Sequence, residues 1–117
     1  MSLISGSDTA AETDKPVVGV IKLKVHATDA PEILAEAIDV LAGESRDLPG
    51  FLAAEILVSV DNKTIVILTE WSDHHTWSQS RYDVRVGNMM ERCYLKSTML
   101  EFEIYTRRAK FSRTSIV

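Results

Sequence analysis

The sequence predicts an α+β fold with the ferredoxin-like order βαββαβ, in which a four-stranded antiparallel sheet carries helices on one face. Four segments of the 117-residue chain have the apolar patterns of strands. Segments with apolar residues at helical spacing follow the first and the third of these strands. The turn sequence Asp61-Asn62-Lys63 joins the second and third strands into a hairpin. A chain of this length fits a single domain.

Capping residues, Gly and Pro set the element boundaries in the first half of the chain. Apolar residues alternate from Val17 to His26, as in a strand with one buried face. Asp29-Ala30-Pro31-Glu32 is typical of a helix start, because it offers a capping Asp, a Pro in the first turn and a Glu three residues on. Gly43 and Pro49-Gly50 then end the helix and turn the chain. The apolar stripe of this helix consists of Ile33, Leu34, Ala37, Ile38, Val40 and Leu41.

The second half begins with the hairpin, whose turn is predicted because Asp61 and Asn62 tolerate positive φ. Its elements are a strand from Phe51 to Val60, a strand from Thr64 to Trp71, a short helix capped by Ser72 or Asp73 and running through Trp77, a helix from about Val84 to Lys96, and a strand from Leu100 to Thr106. On the last strand Leu100, Phe102 and Ile104 are predicted to face inward.

The predicted order also determines which strands are neighbours. The last strand lies antiparallel beside the first, and the third strand lies on the first strand's other side. Lys22 and Lys24 are then expected between Glu101 and Glu103 on one flank and Glu70 on the other. The sheet face without helices is therefore predicted to carry a charged ladder.

The same helix-free face is predicted to be covered by a second copy of the chain. It carries the apolar residues Val20, Val66 and Leu68, and part of the strand from Leu52 to Val60 is apolar on both sides. A strand with two apolar faces is typically buried on both. Because no spare helix is predicted to cover this surface, we expect a homodimer that packs sheet against sheet.

Charge and composition exclude several classes of protein. The net charge of -4 and the pI near 5.3 argue against a nucleic-acid partner, whose phosphates require a basic face. No apolar run approaches the roughly 20 residues of a membrane span. The single cysteine, Cys93, excludes an internal disulfide and fits a reducing cytoplasm. The basic tail residues, expected to be solvated, are Arg107, Arg108, Lys110 and Arg113. The sequence predicts a soluble, cytoplasmic protein.

Three regions are predicted along the chain. Residues 1–15 are polar and small with no hydrophobic period, which predicts a disordered leader. Residues 16–110 form the folded domain. Residues 111–117 are expected to be a flexible tail.

Two tryptophans flank the start of the predicted short helix. Trp71 ends the third strand on the side facing the helices, and Trp77 follows about one and a half turns into the helix. We expect a flat pocket between sheet and helices, where a planar aromatic ligand would stack and water would be excluded. The alternative is that both tryptophans are plain core residues. The predicted ligand-binding residues are Trp71, Trp77, Tyr82, Met89, Met90 and Phe51.

Polar residues near these tryptophans are the catalytic candidates, namely His75, Arg81, Arg85 and Asn88. A fixed guanidinium or amide beside an apolar pocket can stabilise a phenolate or enolate. Such an anion can pass an electron to oxygen without a cofactor. The alternative is that Arg81 and Arg85 face solvent or pair with Asp83 and Glu91.

Several of these motifs occur together in a known family. Glu70-Trp71-Ser72-Asp73, Trp77 with Ser80, and the Pro49-Gly50-Phe51 entry to the second strand resemble the antibiotic biosynthesis monooxygenase family of dimeric α+β barrels. With the strand order, the resemblance covers most of residues 16–106. It implies a pocket between sheet and helices that Trp71 lines. The superfamily includes cofactor-free quinone-forming monooxygenases, haem-degrading monooxygenases and members without a known reaction.

The haem-degrading branch is similar at Ile67–Trp71 and at Trp77–Ser80 but differs at the residues its chemistry requires. That branch takes an axial histidine from the later helix and an asparagine from the first strand. Here no histidine follows His75, and the strand from Val17 to His26 contains no asparagine. His74 and His75 are adjacent, so on a helix their rings diverge by about 100 degrees and cannot share one metal. Neither a metal nor a cofactor is expected.

The combined prediction is a cofactor-independent monooxygenase that acts on a planar aromatic or quinol-like small molecule with oxygen. The alternative is a non-catalytic dimer of the same fold that binds a small ligand. The two hypotheses differ in whether a polar donor or base points into the apolar pocket.

Overall fold

The described part of the chain, residues 15–43 and 45–113 of a computed structural model, follows the predicted order of elements. The strands are β1 (Val17–Val25), β2 (Phe51–Val58), β3 (Thr64–Trp71) and β4 (Ser97–Thr106). The helices are α1 (Ala30–Ala42), α2 (His74–Ser80) and α3 (Val84–Lys96), and a short 3-10 helix spans Ser45–Asp47. The predicted disordered leader, apart from Lys15, and the last four residues of the predicted tail lie outside the described residues.

The four strands form one antiparallel sheet in the order β2-β3-β1-β4, which confirms the ferredoxin-like prediction. Apolar cross-strand pairs set its register, with Ile21 opposite Ile67 and Leu23 opposite Ile65. A shift by one residue would turn these side chains to the wrong face of the sheet. The register is therefore determined by the buried face.

That register corrects the predicted charged ladder. Lys22 does lie opposite Glu101, but Glu103 lies opposite Val20 and Glu70 opposite Val18. Glu70 instead accepts a hydrogen bond from the Arg107 side chain at 2.9 Å. The predicted ladder is wrong for Glu70 and Glu103. The register that the buried pairs set on the other face places both carboxylates opposite valines.

The core lies between the sheet and the helices α1 and α3. Leu23, Ile65 and Ile67 from the central strands are fully buried, and Ile33 of α1 is 1% exposed. Cys93 of α3, expected as a small core residue, is also 1% exposed, and burial raises the pKa of its thiol. A protonated, buried thiol is chemically inert, so Cys93 contributes to packing.

Turn chemistry explains the hairpin and also one difference from prediction. Asn62 has φ of 61°, and the Asp61 carboxylate accepts hydrogen bonds from the Ser59 hydroxyl and the Lys63 amide at 2.6 and 3.0 Å. The predicted turn is therefore confirmed.

At the start of α1, however, Asp29 occupies the cap position without a side-chain capping bond, and Glu32 forms an ion pair with the Lys96 side chain instead.

Candidate functional site

The end of β3 presents Trp71 to the helices in a fixed orientation. Trp71 is 3% exposed, and its indole nitrogen donates a hydrogen bond to the Thr69 hydroxyl at 2.9 Å. Residues two apart on a strand share a face, which makes this bond possible. Phe51 of β2 packs edge-on against Trp71, with ring centroids 5.3 Å apart. These contacts make Trp71 a rigid wall.

The turn from β3 into α2 is held by capping and by close packing. The Asp73 carboxylate accepts a hydrogen bond from the Thr76 amide at 2.7 Å, as an N-cap residue does. The Ser72 amide donates to the Gly50 carbonyl at 2.7 Å. Gly50 has φ of 80°, and a Cβ there would overlap the Thr76 side chain. This junction determines the direction in which α2 leaves the sheet, and hence the position of Trp77.

Trp77 lies over a glycine in the central strand β1. A Cβ at Gly19 would lie 3.1 Å from the Trp77 indole nitrogen and 3.1 Å from the Thr69 hydroxyl. The missing side chain leaves space for the indole. Sequence analysis missed this role of Gly19, although a glycine within a strand pattern signals close approach by another group.

A cavity of about 250 Å³ lies between the sheet and the helices. This volume is slightly below the range of about 300–1,000 Å³ that is usual for small-molecule sites. Its wall is mostly apolar and includes Ile21, Leu41, Ile67, Trp71, Trp77, Val86, Met89, Met90, Phe102 and Ile104. Four of the predicted ligand-binding residues line the cavity, namely Trp71, Trp77, Met89 and Met90.

Arg81, just after α2, brings a positive charge to this apolar wall. Its guanidinium carbon lies 5.3 Å from the centre of the Trp77 ring and 5.4 Å from that of Phe102. Both distances are within the roughly 6 Å of a cation–π contact. The two rings orient the guanidinium beside the cavity although Arg81 is itself exposed.

The other predicted residues lie away from the cavity. His75, Arg85 and Asn88 are exposed, and Tyr82 is 80% exposed. None of the four lines the cavity within the described part of the chain. On α3 the side chains that line the cavity are those of Val86, Met89 and Met90, which are three and four positions apart and share one face, whereas Arg85 and Asn88 lie outside this stripe.

Phe51 has an indirect place in this site. It contacts Trp71 from the β2 side and does not line the cavity. Its ring contributes to the site only through its contact with Trp71.

Hydroxyl groups that line the cavity were missed by sequence analysis. Ser80, 7% exposed, donates its hydroxyl to the Trp77 carbonyl at 2.6 Å. Ser45, 1% exposed, also lines the cavity, but its hydroxyl has no hydrogen-bond partner among the described residues. Both occupy short helical segments whose polar residues resemble ordinary surface positions in the sequence.

Across positions 15–43 and 45–113, no three His, Cys, Asp or Glu side chains lie together as metal ligands would. In that part of the chain no helix combines the length and apolarity needed to cross a bilayer.

The fold and cavity define a class, a ferredoxin-like α+β domain with an aromatic cavity between its sheet and its helices. The antibiotic biosynthesis monooxygenase model matches residues 16–82, more than half of the sequence. The chain belongs to this family, as the sequence resemblance indicated. No curated protein sequence matches the chain significantly.

Several crystal structures share the fold at low sequence identity. The monooxygenase ActVA-Orf6 of Streptomyces coelicolor, in complex with nanaomycin D, has a TM-score of 0.71 and 20% identity over 85% of this chain and 93% of its own. SnoaB, a cofactor-independent oxygenase from Streptomyces nogalater, has a TM-score of 0.67 and 19% sequence identity, and the match covers 82% of this chain and 96% of SnoaB. A conserved protein from Methanosarcina mazei Go1 has a TM-score of 0.73 and 14% sequence identity, and the match covers 85% of this chain and 99% of that protein. Identities this low show the fold alone.

Proposed function

We propose that the protein is a cofactor-independent monooxygenase that acts on a planar aromatic or quinol-like small molecule in the cavity. The observation that carries this proposal is the Arg81 guanidinium, held between Trp77 and Phe102 beside an apolar cavity. A fixed positive charge stabilises a phenolate more strongly where the surroundings exclude water. Family membership and the cofactor-independent oxygenase SnoaB among similar folds support the same reaction class.

The proposed reaction converts a ring C–H of a phenol into a quinone carbonyl. The phenol loses its proton to solvent near Arg81, and the phenolate transfers one electron to oxygen. Superoxide and the aryloxyl radical then combine through a new C–O bond to give a peroxide. The peroxide takes up one proton from solvent, in place of the proton that the phenol lost. Loss of one water, which carries that proton and the hydrogen of the ring C–H, leaves the quinone, so phenol and oxygen are converted into quinone and water. The cavity wall keeps the radical pair together, and Arg81 stabilises the anion that starts the sequence.

The test is oxygen uptake by chelator-treated protein with a panel of anthrones and hydroquinones. We expect uptake above the spontaneous rate. Arg81→Gln should lower kcat/KM roughly 10- to 100-fold, less than the 10²–10³ typical of a buried oxyanion donor because Arg81 is exposed. Arg108→Gln removes an equal charge from an exposed position outside the cavity and should retain activity. Equal rates in both variants would reject the role of Arg81.

The second candidate is a non-catalytic dimer that binds a small ligand. It is favoured by the exposure of His75, Arg85 and Asn88, which places these three catalytic candidates outside the cavity. Saturable binding of the aromatic panel, with oxygen uptake at the spontaneous rate for every compound, would support this candidate.

A homodimer that packs through the helix-free sheet face is also part of the proposal. Leu57 lies opposite Val66, and Leu68 lies opposite Val20, so apolar residues form the middle of this face. Leu57 is 49% exposed in the single chain. Covering such a surface with an identical one removes apolar area from water.

We also assign the protein to the cytoplasm. The support is the lone cysteine, Cys93, whose buried thiol fits a reducing compartment. Fusion to a fluorescent protein and microscopy in the source cell would test this assignment.

A further inference from the structure

The hydroxyl of Ser45 is a buried polar group that the fold itself does not satisfy. Ser45 is 1% exposed, and its hydroxyl oxygen makes no hydrogen bond to any residue within 15–43 or 45–113. Its carbonyl accepts the Leu48 amide at 3.0 Å, so the backbone of the turn is satisfied without the side chain. A buried hydroxyl without a partner is unfavourable and uncommon in folded proteins. The group therefore calls for a partner other than the residues that the structure describes.

Ser45 and Arg81 both line the cavity but lie on segments that contact opposite edges of the sheet. The 3-10 helix that contains Ser45 packs against β2, one edge of the sheet. Arg81 contacts Phe102 on β4, the other edge. Three strand spacings separate these edges, about 14 Å. The Arg81 guanidinium makes no hydrogen bond to the Ser45 hydroxyl, while a ligand in the cavity can contact both residues because both line it.

A bound water is a poorer partner for Ser45 than a ligand oxygen. A buried water usually needs two to four polar partners. The nearby wall includes the apolar side chain of Leu41, and the other lining hydroxyls, Thr69 and Ser80, already take part in hydrogen bonds to the indole nitrogen of Trp71 and the carbonyl of Trp77.

We propose that the Ser45 hydroxyl selects ligands that carry a hydroxyl or carbonyl oxygen at the β2 end of the cavity. The proposal rests on the proposed function in that the cavity is the ligand site. Arg81 then binds the reacting oxygen at one end, and Ser45 recognises a second oxygen at the other. The ligand class is a planar aromatic molecule with oxygen substituents at both ends. Ser45 acts in specificity and positioning, away from the reacting atoms.

The test compares naphthalene-2,6-diol, which has a hydroxyl at each end, with 2-naphthol, which has one. Binding is measured by calorimetry in oxygen-free buffer, so that no turnover occurs. Wild-type protein should prefer the diol by about 3- to 10-fold, the effect of one net hydrogen bond. Ser45→Ala should abolish that preference and leave the affinity for 2-naphthol unchanged.

Ser80→Ala is the matched control. Ser80 is also a buried serine on the cavity wall, but its hydroxyl is already bonded to the Trp77 carbonyl. This variant should keep the preference for the diol. An undiminished preference in Ser45→Ala, with both compounds still bound, would overturn the role of Ser45 and leave the proposed cavity intact. Failure of both compounds to bind wild-type protein would overturn the cavity as a ligand site and this proposal with it.

Thermal unfolding without ligand supplies a second readout. Ser45→Ala removes no hydrogen bond from the free protein, so its Tm should equal or exceed that of wild type. A fall of about 4 °C or more would show that the hydroxyl serves the fold. That result would also overturn the proposal.

Discussion

At the scale of single residues, the junction between β3 and α2 depends on backbone geometry more than on the tryptophans that flank it. Gly50 adopts positive φ where an L residue is strained. The Thr76 side chain occupies the space that a Cβ at Gly50 would need. The Thr76 amide also donates the capping hydrogen bond to the Asp73 carboxylate, so a change at Gly50 disturbs the start of α2.

We expect Gly50→Ala to lower the free energy of unfolding by about 2 kcal/mol or more, from positive φ and overpacking together. Gly87→Ala is the control, since Gly87 lies in α3 with open space around its missing Cβ. Alanine should stabilise that helix by about 0.5–1 kcal/mol. Urea denaturation of the three proteins measures both effects. Equal stability of Gly50→Ala and wild type would contradict the packing described for Thr76.

The cap residue predicts a dependence of stability on pH. The hydrogen bond from the Thr76 amide lowers the pKa of Asp73 below its ordinary value of 3.8. Ionised Asp73 therefore stabilises the fold fully above about pH 3.8, and this contribution is lost as the pH falls through the lower folded-state pKa. Asn can still cap a helix but does not titrate. We expect the Tm of Asp73→Asn to fall less than that of wild type between about pH 5 and pH 2.5. Parallel Tm curves for the two proteins would count against the cap.

At the scale of elements, the cavity depends on how closely α2 approaches β1. Trp77 fits because residue 19 has no side chain. The neighbouring Thr69 hydroxyl is held by Trp71, so it has little freedom to move away. The spacing between one helix and one strand thus shapes the aromatic wall.

Gly19→Ala should therefore displace the Trp77 ring and cost about 1–3 kcal/mol of stability, the usual range for overpacking. Tryptophan emission and urea denaturation measure the displacement and the cost. Trp77→Phe places a smaller ring over the same position. Gly19→Ala should therefore cost less stability in the Trp77→Phe variant than in the wild-type protein. Strictly additive costs would show that the two residues do not interact.

At the scale of the whole molecule, the proposed dimer depends on the helix-free sheet face. Its middle is apolar, with Leu57 opposite Val66 on neighbouring strands. Glu101 and Glu103 on β4 flank this area. A charge introduced in the middle would be buried without a partner in a dimer but would meet only water in a single chain.

Leu57→Glu should convert the proposed dimer into monomers at micromolar concentration, as measured by light scattering after gel filtration. Leu95→Glu is the control, because Leu95 is 71% exposed on α3, away from the sheet face. It should leave the dimer unchanged. A monomeric mass for wild-type protein would refute the dimer directly.

Much of the fold could be predicted because local signals agree with it. The hairpin follows from Asp61 and Asn62, and the alternation in β1 and β3 names the buried face correctly. Boundaries were less certain where propensity is weak. The strand β4 begins at Ser97, three residues before Leu100, since pairing with β1 extends it beyond its apolar core.

The candidate site was only partly predictable. Trp71 and Trp77 could be placed from the sequence, because a strand end and a helix start determine where they point. His75, Arg85 and Asn88 were equally plausible there, and the structure places them outside the cavity. Their orientation depends on the angle at which α2 and α3 cross the sheet, which spacing along the chain does not specify.

The sequence by itself determined the order of elements, the hairpin turn, the buried faces and the family, since these depend on periodicity, turn residues and motifs within short segments. Only the tertiary structure decided that Arg81 lies between Trp77 and Phe102, that Gly19 makes room for an indole, and that the Ser45 hydroxyl is left without a partner. Each of these joins residues distant in sequence. Such contacts arise only when long-range packing brings the elements together.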